Sequence, residues 1–211
     1  MHAYGLTETS PLITTSNSPR RIAEVGRFDV KPRQGHATVG AEVRVVDEDG
    51  EDVPRDDATI GEIVVRGNQV MDRYLGKPEA TKTAFTDRIE GYFHTGDLAT
   101  VDENGMVAIK DRKKDIIISG GENISTAEVE DALYEHPEIA KVAVVGVPSE
   151  EWGETPKAFV VPRAEATLTE DDVVAFARDS LATFKCPTQV EFVDDLPATA
   201  TGKVQKYELR D

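Results

Sequence analysis

Beyond Asp111 the chain alternates short Val- and Ile-rich runs with two capped helical stretches, and this alternation narrows the possible folds more than any other feature. Residues 115–119 read Asp-Ile-Ile-Ile-Ser, a run apolar enough for a buried strand. Ser125, with Glu128 three residues on, predicts a capping box. The helix that follows turns Val129, Ala132 and Leu133 inward, and Pro137 ends it. Residues 142–147 and 158–161 predict Val-rich strands. Thr169 caps a second helix whose inner side carries Val173, Val174, Phe176, Ala177 and Leu181, and 190–193 predicts a last strand before a loop at 196–203. Strands and helices mixed in this way fold as one α+β layer pair.

The stretch before Asp111 has another texture. Residues 16–40, with Pro19, Pro32, Gly26, Gly35 and Gly40, show little periodicity and read as connection. Short strands are expected at 43–47, 63–66, 98–102 and 106–110, with a short helix at 78–85. The last two strands flank Glu103-Asn104-Gly105, where Asn-Gly supplies the positive φ of a hairpin. The expected class is therefore α+β: a small mostly-β subdomain over 1–111, then a compact α+β domain over 112–211, with the boundary at Arg112, Lys113 and Lys114.

Charge excludes whole classes of partner. The 211 residues carry 40 Asp and Glu against 24 Lys and Arg, a formal net charge of −16. Neutralising nucleic-acid phosphates needs the opposite excess, so no nucleic-acid partner is expected. A single cysteine, Cys186, excludes an internal disulfide framework and a multi-cysteine zinc site. No run approaches the roughly 18 apolar residues of a spanning helix, and the start lacks the basic and apolar regions of a signal peptide. A cytoplasmic chain without membrane insertion is the expectation. Only 11 of the basic residues are Lys, and acidic pairs recur at 56–57, 171–172 and 194–195. Either this is ordinary solubility charge or the host is halophilic, because at about 1 M salt the Debye length falls to ~3 Å and self-repulsion fades.

Three segments join polar residues to glycines. Tyr4-Gly5-Leu6-Thr7-Glu8-Thr9 offers a hydroxyl for a phosphate (Thr7), a carboxylate for Mg²⁺ (Glu8) and an aromatic ring beside a flat base (Tyr4); the same residues also make an ordinary turn. Asp97, in Tyr92-Phe93-His94-Thr95-Gly96-Asp97, and Arg112, across the hairpin, can meet either to grip the two hydroxyls of a ribose or as a structural ion pair. Thr199-Ala200-Thr201-Gly202-Lys203 presents a lysine on a small-residue loop, which is either solvated surface or a mobile cation for a phosphate.

In this order the three segments resemble the adenylate-forming (AMP-binding) superfamily, and most of all its acyl-CoA synthetases of the fatty-acid–CoA ligase type. The resemblance also rests on Gly61-Glu62-Ile63-Val64-Val65-Arg66-Gly67, Asp111-Arg112-Lys113-Lys114-Asp115-Ile116-Ile117, Ser119-Gly120-Gly121-Glu122-Asn123-Ile124, Trp152-Gly153-Glu154 and Phe184-Lys185-Cys186-Pro187. It implies that a carboxylic acid reacts with ATP to give acyl-AMP, and that coenzyme A then displaces AMP. Tyr4 becomes an adenine neighbour, Thr7 a phosphate donor, Glu8 a Mg²⁺ ligand, Asp97 the ribose carboxylate helped by Arg112, and Lys203 the cation bridging carboxylate and phosphate. Lys114 becomes the hinge of a mobile C-terminal domain. Gly120 and Gly121 leave room for a pantetheine arm flanked by Trp152, and Phe184 and Lys185 meet the nucleotide of CoA; core packing is the other reading of the two aromatics.

The family's principal phosphate loop lies upstream of the Tyr-Gly-x-Thr-Glu segment, so this chain is expected to be a C-terminal part, inactive alone, with a separately encoded N-terminal half as a possible partner. Arg33-Gln34-Gly35 resembles a stretch of fatty-acid-activating members and points to a fatty acid. Two alternatives stand beside this: an adenylating enzyme that loads a carrier protein, and a non-catalytic remnant that binds nucleotide or CoA.

Overall fold

Gly61–Gly67 (β5) is the strand that organises the first part of the chain, because Ile63, Val64 and Val65 in succession are fully buried. Consecutive burial means that both faces of the strand are covered. Ile63 and Val65 join Ile13, Val45, Phe93, Ala99 and Val107 on one face, while Val64 joins Val46, Ile89 and Tyr92 on the other. The computed structural model describes residues 2–16, 33–86, 89–200 and 202–210, so most of the connection expected at 16–40 lies outside the described residues.

Two compact units divide the chain, Met1–Lys113 and Lys114–Asp211. In the first, β5 sits in an antiparallel sheet between Ala41–Val46 (β4) and Phe93–Val101 (β6), and Val107–Arg112 (β7) follows β6. Ala3–Tyr4 (β1), Thr14–Thr15 (β2) and His36–Ala37 (β3) form a second, three-stranded sheet. Pro78–Ala84 (α1) begins with Pro at its first turn, where no amide donor is needed. The β6–β7 hairpin turns at Gly105, whose φ of +78° is the positive value its tight turn requires.

The expected strand 98–102 is only the end of β6, which starts at Phe93 and includes His94-Thr95-Gly96-Asp97. Glu62 faces Leu98 and Val64 faces His94, so Thr95, Gly96 and Asp97 together oppose Ile63 in a bulge. Polar and glycine residues hid this part of the strand because a bulge interrupts alternation. The two units divide between Lys113 and Lys114. Arg112 pairs with Asp97 and Lys113 with Glu62, which ties both to the first unit rather than to the second.

In the second unit Ile139–Ser149 (β10) and Gly153–Pro162 (β11) form a long antiparallel hairpin. Gln189–Phe192 (β12) pairs parallel to β11, and Ile117–Ser119 (β8) with Glu122–Ile124 (β9) extends the sheet on the same strand. Thr126–Tyr134 (α2) and Glu170–Ser180 (α3) cover one face through Val129, Leu133, Val173 and Ala177 over Val142, Val144 and Val160. Ala143, Val145 and Phe159 point to the other face, where Leu196, Val204 and Leu209 pack. Thr169 and Asp172 close a full capping box on α3. Ser125 accepts from the Glu128 N–H at 3.2 Å, while the Glu128 carboxylate holds Lys185. Such caps each contribute about 0.5–2 kcal/mol. No described helix is long and apolar enough to cross a membrane.

Both hydrophobic clusters of the second unit draw on its own residues alone. Residues 114–211 expressed by themselves are therefore expected to melt in one cooperative transition. A broad, non-cooperative trace would show that this core needs the first unit.

Candidate functional site

The bulge in β6 sets Asp97 apart from the ladder around it. Asp97 is buried, and its Oδ2 accepts the Tyr4 hydroxyl at 2.6 Å while Oδ1 lies 3.3 Å from Arg112 Nε. Asp97 and Arg112 face each other directly in the β6–β7 register, so the hairpin itself brings the pair together. Burial, then the hydrogen bond and charge of Asp97, raise the Tyr4 phenol well above its ordinary value. It stays a proton donor, and each Asp97 oxygen keeps a lone pair for a further donor.

Glu62 holds the bulge from beneath. Its Oε1 accepts the Gly96 N–H at 3.2 Å, and its Oε2 lies 3.1 Å from Lys113 Nζ and 3.2 Å from His94 Nδ1. Burial pushes the Glu62 carboxyl up, but the bonds and charges of Lys113 and His94 outweigh it and leave the group below its ordinary value. Lys113 N–H donates to Gly96 O at 2.8 Å, closing the same turn. A cleft of about 570 Å³ opens here, lined by Glu62, His94, Gly96, Lys113, Tyr74 and Thr86 among others.

In the N-terminal turn, a 3₁₀ helix at Thr7–Thr9, the Glu8 Oε1 accepts the Tyr74 hydroxyl at 2.8 Å. Burial and this bond to Glu8 raise the Tyr74 phenol. Thr7 is exposed, and the hydroxyl that closes the turn belongs to buried Thr9, which accepts from Leu6 N–H at 2.8 Å. Among the described residues no three His, Cys, Asp or Glu side chains gather as a cation cage. A lone hard carboxylate such as Glu8 nevertheless fits Mg²⁺, which keeps waters and takes most ligands from phosphates.

The second unit contains a cavity of about 730 Å³, and its wall includes Gly120, Trp152, Phe184, Cys186, Thr155 and Thr188. Trp152 and Phe184 are half-exposed rather than packed in the core. Gly120, at φ +59°, donates its N–H to Trp152 O at 2.8 Å, and a Cβ there would meet the Trp152 ring at 2.9 Å. Gly121 faces open space. Lys185, expected at the nucleotide of CoA, is engaged by both Glu128 oxygens at 2.6 and 2.7 Å. Burial raises the Cys186 thiol, so it stays protonated.

Lys203 sits on a small hairpin closed by the Ala198–Val204 bridge and by Gly202 N–H to Thr199 O at 2.8 Å. Lys203 is exposed, and Thr201 in the same loop lies outside the described residues. Lys114, also exposed, is the first residue of the second unit. The sequence marks Glu62 only as part of a strand and gives Tyr74 no role. The signal for Glu62 was present, a single charge inside an otherwise apolar strand run.

Residues 1–75 match the AMP-binding enzyme family, and 128–203 match the AMP-binding enzyme C-terminal domain. Over its whole length the chain is 45% identical to 2-methylpropanoate–CoA ligase of Humulus lupulus and 44% identical to a probable peroxisomal acyl-activating enzyme of Arabidopsis thaliana, covering 39% of each. Among solved structures, ATP-bound MatB of Rhodopseudomonas palustris is similar with a TM-score of 0.84 and 40% identity, over 99% of this chain and 39% of that one. The o-succinylbenzoate CoA synthetase of Bacillus subtilis with its acyl-adenylate is similar with a TM-score of 0.85 and 32% identity, over 100% of this chain and 40% of that one. The chain thus spans about 39% of the curated relatives it matches. With both regions present in order, the chain belongs to the AMP-binding, adenylate-forming enzyme superfamily and carries part of its AMP-binding region followed by its C-terminal domain.

Proposed function

We propose that the chain is the C-terminal part of an ATP-dependent acyl-CoA synthetase, an acid–thiol ligase. The observation that carries this reading is Asp97, a buried carboxylate held by Tyr4 and Arg112 with lone pairs left for the two hydroxyls of a ribose. A substrate carboxylate attacks the α-phosphorus of ATP, the bond to pyrophosphate breaks, and acyl-AMP forms. The sulfur of CoA then attacks the acyl carbonyl, and AMP leaves as the thioester forms. Tyr4 flanks the adenine, Thr7 donates to phosphate, and Lys203 neutralises charge shared by the carboxylate and the α-phosphate. Mg²⁺, held by Glu8, would offset phosphate charge. Gly120, Gly121, Trp152 and Phe184 receive the pantetheine arm and the CoA adenine. The lysine hairpin serves the first step and the glycine turn the second, with Lys114 as the turning point.

The test is a chimera in which residues 1–211 replace the matched part of the Humulus lupulus ligase. It is expected to catalyse carboxylate-dependent ATP–pyrophosphate exchange and, with CoA, to release a thioester. Exchange with acyl transfer only to a carrier protein would favour the carrier-loading alternative. A folded chimera with neither activity would leave a binding remnant.

A fatty acid as substrate belongs to this proposal and rests on the likeness of Arg33-Gln34-Gly35. In the structure that stretch clips onto β7, with Gln34 N–H to Val107 O at 2.9 Å and Gln34 Oε1 accepting Ile109 N–H at 2.8 Å. A cytoplasmic location and a halophilic host belong to it as well, the second supported by the net charge of −16. The melting temperature of the chain is then expected to rise by roughly 10 °C or more between low and molar KCl, since screening acts on the whole surface and one exposed pair supplies only about 0–1 kcal/mol. A salt-independent melting temperature would remove the halophilic reading.

A further inference from the structure

We propose that Lys206 is a positioning residue that braces the Lys203 hairpin against helix α2. The inference rests on the reading of Lys203 as the adenylation cation. The hairpin 198–204 runs directly into a short 3₁₀ helix at Lys206–Leu209, and the Lys206 ammonium leaves that helix to reach Thr126 Oγ1 at 2.7 Å and Glu130 Oε1 at 2.7 Å. Both side chains of the Lys206–Glu130 pair are only 16% exposed. Such a pair is screened little by salt, and losing one partner leaves a poorly solvated charge behind.

Glu130 is itself fixed, since its Oε1 accepts the Val144 N–H at 2.7 Å. A path of direct contacts therefore runs from the edge strand β10 through Glu130 and Lys206 to the base of the hairpin. Arg210 ties the far end of the same 3₁₀ helix to buried Asp115 at 2.8 Å. Between these anchors and the lysine, Gln205 N–H donates to Pro197 O at 2.8 Å, which shuts the hairpin at its base. Gly202 and Lys203 are exposed in this hairpin, and the contacts at its base set its aim. A flexible lysine delivered to a transition state gains from this, because a misplacement of about 1 Å at a reacting group can lower a rate 10²-fold.

Val204 and Leu209 also pack on the sheet and offer a competing cause for the hairpin's order. Lys206→Met separates the two, since it keeps the apolar stem and removes the charge. In the 211-residue chain the variant is expected to speed hydrogen exchange of the Gly202 and Gln205 amides about tenfold, with the β10 amides unchanged. In the chimera it is expected to slow acyl-AMP formation about 10- to 100-fold while conversion of supplied acyl-AMP and CoA stays within about twofold, and Lys206→Arg should recover most of the loss. Equal slowing of both half-reactions, or unchanged exchange at Gly202 and Gln205, would overturn the brace. Lys203→Ala run in parallel tells the two failures apart: if it spares acyl-AMP formation, the role of Lys203 fails and the proposal with it. If Lys203→Ala slows that step and Lys206→Met does not, the brace alone fails.

Discussion

Lys203→Ala is expected to cut acyl-AMP formation in the chimera by about 10²–10³-fold, the usual effect of deleting one group that stabilises transition-state charge. The physical reason lies in two anions that must approach each other. A carboxylate attacking a phosphate gathers negative charge on both partners, and a cation between them counts most where water is excluded. In the structure the Lys203 side chain adds little to stability. It is exposed at a hairpin tip, and no described residue pairs with its ammonium, unlike Lys185, Lys206 or Lys113, each of which already holds a carboxylate. Removing it should therefore leave the melting temperature nearly unchanged. Supplied acyl-AMP and CoA should still give thioester at close to the normal rate, because no phosphate is attacked in that step. Pyrophosphate release measured beside thioester formation checks the split. Equal loss in both half-reactions would place Lys203 elsewhere in the cycle.

What the sequence disclosed depended on how local each signal was. The Asn104-Gly105 hairpin, the Thr169 cap and the Val-rich strands were legible because each is written within a few neighbouring residues. The meeting of Asp97 with Arg112 was legible too, since a tight hairpin joins them. The start of β6 at Phe93 was not, because His94, Thr95, Gly96 and Asp97 break the two-residue period at a bulge. The ion pairs of Glu62, Lys185 and Lys206 are not legible in the sequence, for one shared reason. Their partners are Lys113, Glu128 and Glu130, distant in sequence, and no local pattern marks a charge that will be paired only after folding. Tyr74 belongs with them, since its partner Glu8 lies in another segment.

Gly120→Leu is expected to produce the reverse of the lysine effect, a loss of thioester formation on the order of 10²-fold with acyl-AMP formation nearly intact. Gly120 forms part of the wall of the 730 Å³ cavity, and its Cα approaches Trp152 so closely that even one added carbon would lie 2.9 Å from the indole ring. A leucine there must push Trp152 outward or fill the space where the pantetheine arm is proposed to pass. The backbone adds a second constraint, because φ at Gly120 is +59° and an L side chain in that region costs roughly 1–2 kcal/mol. That cost falls on stability and should appear as a lower melting temperature. It does not by itself choose between half-reactions, so the kinetic split reports the blocked cavity. Gly121→Leu is the matched comparison. It too carries a positive-φ backbone penalty, at φ +89°, yet its side chain enters open space with no atom within 4 Å. The expected order is therefore a severe thioester defect for Gly120→Leu and a milder one for Gly121→Leu, with similar losses of stability. Equal kinetic defects in the two variants would show that backbone strain, rather than the space beside Trp152, limits the second half-reaction.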